Sequence, residues 1–200
     1  MKFLERFFQK GSEDLSKDPR WRRFNDSAYK CPCCDQSFSG IFDIGFDHPD
    51  PWPHGNRKES GQEELIVGED RLGTDLCRFS GHVFVRSVLY LPVKGSGKRF
   101  GFGCWGSLSD ENFDTYVKDS RGEAVFEGAF SWLANSLPCF ESTDPLPCNM
   151  TPGDDGQRPS LWVQEGHALF DAQQEGISFD TLLDIYAKTG NNLRPHLSDA

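Results

Sequence analysis

No stretch of this chain stays apolar for the roughly 20 residues that a membrane-spanning helix needs. Residues 1–8 contain no uninterrupted apolar core and no small-residue cleavage site, so no secretory signal is read. Cations are scarce: 21 Lys and Arg stand against 31 Asp and Glu, a formal net charge of −10. That balance repels nucleic acid and anionic membranes, and it suits either a basic protein partner or simple solubility. There are no internal repeats, no low-complexity tract, no G-x-S-x-G elbow and no H-E-x-x-H pair. The seven cysteines are odd in number and lack the spacing of a disulfide scaffold, so reduced thiols in the cytoplasm are expected.

What is present is a strand-rich centre. Residues 75–79 form a short apolar run closed by Ser80 and Gly81, a turn signal. Residues 82–93 crowd β-branched and aromatic side chains, residues 94–98 are a Gly-rich reversal, and residues 99–108 alternate Phe100, Phe102 and Cys104 with Gly101 and Gly103. Ser109 with Asp110 and Glu111 then opens a helix. The expected fold is α+β: an antiparallel sheet of four to six strands, its meander over about 75–108, with helices mainly on one face. Residues 28–200 make one domain, preceded by an N-terminal helical extension over 1–27 with a stripe of Phe3, Leu4, Phe7 and Phe8. Short strands are expected near 41–47 and 158–163, and helices over 123–135, 167–174 and 178–190, while residues 65–67 lead into the meander. Four prolines make 138–156 the loosest part.

Cys31-Pro32-Cys33-Cys34 is the sharpest local signal. Cys31 and Cys34, three apart across a turn, present two sulfurs to one Zn²⁺, and Cys33 competes with either. A tetrahedral site needs four such donors, yet no second C-x-x-C exists. His48, His54, Cys77, Cys139 and Cys148 are the further donors considered, none at a diagnostic spacing. A redox role would place the pair at the start of a helix, whereas residues 35–40 read as a loop. Three prolines within residues 49–53 impose an irregular loop that offers Trp52 to solvent. Trp52, His54 and Trp105 are the candidate partner contacts. Residues 95–98 echo a phosphate loop but lack its first Gly and are followed by a strand. Residues 101–106 match G-x-G-x-x-G inside a strand, which suits close packing of a neighbour on the Gly face. Arg71 and Arg86 are cations in apolar segments, read as core-edge ion pairs.

The Cys-Pro-x-Cys start, "DIGFDHPDPW", "DLCRFSGHVFVRSVLYLPV", "FGFGCWGSLSDENFDTY", "FSWLANSLPCF" and "HALFDAQQEGIS" together resemble the bacterial family called domain of unknown function 2199, over about residues 29–190. The resemblance implies no activity. It implies a knuckle of the form Cys-x-x-Cys-Gly with a His three residues after the Gly. Here Asp35 stands at the Gly and Phe38 at the His, so the resemblance carries Cys31 and Cys34 but no complete zinc set. Three functional readings stay open: a non-enzymatic acidic binding protein, such as an immunity or antitoxin protein masking a basic partner; a small zinc-stabilised module; or an enzyme using a Cys or His beside the strand at 99–108.

Overall fold

The two longest strands set the architecture. In the computed structural model, which describes residues 14–57 and 63–198, β5 (His82–Val93) and β6 (Lys98–Leu108) pair antiparallel from Val83–Leu108 to Val93–Lys98. Around them lie β1 (Ile44–Gly45), β2 (Leu65–Val67), β3 (Asp70–Leu72), β4 (Leu76–Phe79), β7 (Ala129–Leu133), β8 (Leu146–Thr151) and β9 (Ser160–Val163). The helices are α1 (Pro19–Asn25), α2 (Asp110–Asp119), α3 (Ala168–Glu175), α4 (Phe179–Lys188) and α5 (Arg194–Leu197). The expected stripe at Phe3, Leu4, Phe7 and Phe8 lies outside the described residues.

The mixed α+β class and the β4–β5–β6 meander follow the sequence. The plain antiparallel sheet with helices on one face does not. Strand order runs β1-β6-β7-β8-β9-β5-β4-β3-β2, and because β6 also pairs with β5, strands β5 to β9 close into a five-stranded barrel. Long strands twist and coil, and a sheet that coils far enough meets its own edge. The seam is a short parallel pairing, Val88 with Ser160, and β1 also joins β6 in parallel. Helix α2 rests on β5 and β6, and α3 on β5 and β9.

One segment changes class. The apolar spacing of residues 123–135 predicts a helix, but β7 forms there, with Ser131 and Leu133 buried and Phe130 and Trp132 exposed. Strand period 2 wins because β7 completes the ladders of β6 and β8. The loose region likewise contains β8. The Gly face of β6 is covered as the sequence suggests: a Cβ at Gly101 would meet the Asp43 carboxylate at 3.0 Å, and Gly103 lies against the backbone of Gly45.

Residues 19–25, within the expected N-terminal extension, form a helix. Asp18 caps α1 by accepting from the Arg20 N–H, and Pro19 fits its first turn. Trp21 and Phe24 then enter the main core, where Phe24 is fully buried against Phe38, Phe179 and Tyr186. Residues 19–25 are thus part of the domain core. An ion network fastens the same region: Asp180 accepts from Arg20 at 2.8 Å and from Arg194 at 2.6 Å, and Arg194 also reaches Asp184 at 2.7 Å. The Arg20 hydrogen bond, with Arg194 beside it, pulls the Asp180 carboxyl down to about 2. A depressed acid stabilises the fold above its unfolded pKa and loses that contribution as pH falls through the folded one. The wild type therefore sheds stability between about pH 4 and pH 2 that Asp180→Asn lacks throughout. Urea midpoints measured against pH for both proteins check this, and coincident acid limbs would refute it.

Candidate metal centre

The cysteine run folds into a tight knuckle. Lys30 bridges Ser37, the Cys31 N–H donates to the Gln36 carbonyl at 2.9 Å, and the Asp35 N–H donates to the Cys31 carbonyl at 2.9 Å. Asp35 closes the turn at φ 58°, left-handed backbone that favours glycine and that Asp tolerates better than most residues. The Gly that the resemblance implies at this position would suit the same backbone. Underneath, Phe38 is buried and stacks on Tyr29 at 6.3 Å.

The donor that sequence reasoning missed is His196. It lies 165 residues from Cys31, on a four-residue helix, with no second histidine or cysteine near it to make a motif. Three contacts place α5. The Leu197 carbonyl accepts from Arg23 Nη1 at 2.7 Å, the His196 carbonyl accepts from the Tyr29 hydroxyl at 3.0 Å, and Leu193 and Leu197 are buried in the core. The imidazole rests beside Phe38, ring centroids 6.4 Å apart. Phe38 stands where the resemblance implies a histidine, and His196, from far along the chain, arrives next to it.

The result is a Cys3His cluster. The ligand atoms of Cys31, Cys33, Cys34 and His196 all lie within 4.8 Å of one another. His196 Nδ1 is 3.4 Å from the Cys31 and Cys34 sulfurs and 3.6 Å from that of Cys33. Zinc bonds of about 2.3 Å to sulfur and 2.05 Å to nitrogen put the nitrogen–sulfur edge of a tetrahedron at about 3.6 Å. The Cys31 and Cys33 sulfurs, 3.0 Å apart, are closer than the corresponding sulfur–sulfur edge. The hydrogen bond from Cys33 draws the Cys31 thiol down to about 6, and sharing that proton pushes Cys33 up to about 11. The pair thus holds one thiolate at neutral pH, the form that ligates metal. Cys31 is buried while Cys33 and Cys34 are exposed, so the cluster opens to solvent on one side.

The other candidate donors stay apart from it. His48 bonds the Pro49 carbonyl, and His54 Nε2 lies 2.6 Å from Asp70. Burial pushes the Cys77 and Cys148 thiols up to about 12 and raises Cys104 further, which makes all three poor nucleophiles at neutral pH. Trp52 is 4% exposed and Trp105 is fully buried, in a second core cluster with Leu72, Cys77, Phe79 and Phe84. The loop at 48–55 turns its tryptophan inward because Asp50 anchors it to Asn135 and Ser136 at 2.8 and 2.6 Å, and the Trp52 N–H bonds the Gly55 carbonyl. Neither indole faces solvent. Among the described residues Arg86 forms no ion pair; it lies over Trp105, its Nη1 donates to the Thr74 carbonyl at 3.5 Å, and its Nε is buried without a partner.

No helix among the described residues is long and apolar enough to cross a membrane. No curated protein matches the chain, and no solved structure does. One family model does match, over residues 30–177: the chain belongs to the family described as an uncharacterized protein conserved in bacteria, DUF2199.

Proposed function

We propose that the chain is a metal-clamped α+β domain in which Cys31, Cys33, Cys34 and His196 hold one structural Zn²⁺. The observation that carries this reading is the convergence of four donors within 4.8 Å from the two ends of the described chain. Three thiolates and one imidazole suit zinc better than calcium or magnesium, which take oxygen ligands. Four protein ligands leave no open position for substrate, so the metal's role is to join the knuckle to α5. His196 lies beyond the end of the family match, and the clamp therefore recruits a residue from outside the shared region. The test is native mass spectrometry with elemental analysis of the untagged protein. One zinc per chain is expected for the wild type and none for Cys31→Ser. A folded wild type that stays metal-free when zinc is supplied would sink the proposal.

The acidic binding protein remains a reading of its own, and the exposed aromatic side chains that support it differ from the three predicted by sequence.

A further inference from the structure

Strands β7, β8 and β9 turn one face into the barrel and the other to solvent. Ser131, Leu133, Cys148, Met150, Leu161 and Val163 are buried, so the alternation forces Phe130, Trp132 and Trp162 outward. They are 48%, 45% and 44% exposed. The register gathers them: Phe130 pairs with Asn149 and Asn149 with Trp162, while Trp132 pairs with Pro147 one step along. Polar neighbours hold the surface in shape. The Trp162 N–H donates to Thr151 Oγ1 at 2.9 Å, and Gln164 Nε2 donates to Asn149 Oδ1 at 3.4 Å. Phe130 and Trp132 on β7 and Trp162 on β9, half exposed on one face with Pro147 and Asn149 of β8 between them, mark a contact surface more often than scattered exposed residues do.

The frame around this face selects its occupant. Glu127 and Asp154 stand towards one end of the strands and Asp144 and Glu165 towards the other. All four are exposed, and none forms an ion pair among the described residues. Between Glu127 and Glu165 the only cation is Arg158, which is spent on Asp75 at 2.6 Å. We infer that the outer face of β7–β9 docks a basic protein segment whose apolar side chains meet Phe130, Trp132 and Trp162 while its Arg or Lys side chains meet the acidic frame. Nucleic acid could stack on such side chains, but its phosphates would face the same acids. A second copy would bring an identical acidic frame and another net charge of −10. The Phe130 and Trp132 rings are perpendicular, centroids 5.1 Å apart, which presents an edge and a face for side chains to fill. The docking face does not depend on the metal clamp.

The test uses a labelled synthetic amphipathic peptide of Leu and Arg, its Leu and Glu counterpart, and poly-lysine, each titrated against the full zinc-supplemented chain by fluorescence anisotropy. The Leu/Arg peptide is expected to bind, to weaken at least tenfold in Trp132→Ala/Trp162→Ala, and to weaken in Glu127→Gln/Glu165→Gln and at high salt. Circular dichroism of each variant, altered at exposed positions, is the check that it remains folded. Equal binding of the Leu/Arg peptide to the tryptophan variant would show general charge attraction and overturn the inference, as would no binding at all. Poly-lysine matching the Leu/Arg peptide in the wild type, or a wild-type dimer in sedimentation that the tryptophan variant loses, would overturn it as well.

Discussion

Removing the metal with a chelator is expected to lower the melting temperature of the wild type by about 8–16 °C. A ligand present at about a thousand times its dissociation constant stabilises the folded state by about 4 kcal/mol. For a chain of this size each kcal/mol moves the midpoint by about 2–4 °C. His196→Ala should start from the lowered temperature and respond little to chelator, because only three thiols remain and α5 has lost its link to the knuckle. Excess zinc should restore the wild type and not the variant. Calorimetry of both proteins with and without chelator measures this. A wild-type midpoint that chelation leaves unmoved would mean that the four donors meet without metal.

Phe24→Ala is expected to cost about 3–5 kcal/mol, the range for emptying a buried phenylalanine site. Phe24 is wholly enclosed between Phe38, Phe179 and Tyr186, and its neighbours are tied down independently. Tyr186 donates to the Phe42 carbonyl at 2.9 Å and accepts from the Phe42 N–H at 3.1 Å, so its ring cannot swing into the void without breaking both bonds. Equilibrium urea unfolding gives the number. A loss under about 1 kcal/mol would indicate that α1 contributes little to the core it enters.

How far the sequence could be read depended on how local each signal was. The β4–β5–β6 meander was legible because its pairings are sequential and its turns carry Gly81, Gly95 and Gly97 at positive φ. Helix α4 was legible because Ser178 caps it and Phe179, Leu182, Leu183, Ile185 and Tyr186 keep one period. Barrel closure was not legible, since Val88 with Ser160 is a long-range parallel contact that leaves no mark in either segment. Residues 123–135 misled because Phe126, Ala129, Phe130 and Leu133 fall at helical spacing, while Phe130 and Trp132 point outward in the fold. At the candidate centre, Cys31 and Cys34 announced themselves through a turn. His196 sits alone in sequence, and nothing short of the fold links it to them.

The link between Cys31 and His196 also decides how the chain answers force. With metal bound, the segment between them becomes a closed loop whose ends are 165 positions apart in sequence. Tension applied from outside that loop, by a protein-unfolding motor gripping either flank, would reach the zinc–ligand bonds before any barrel strand. The barrel would stay unloaded until the knot opened, and the β5–β6 ladder would begin to feel the pull only after α5 had come away.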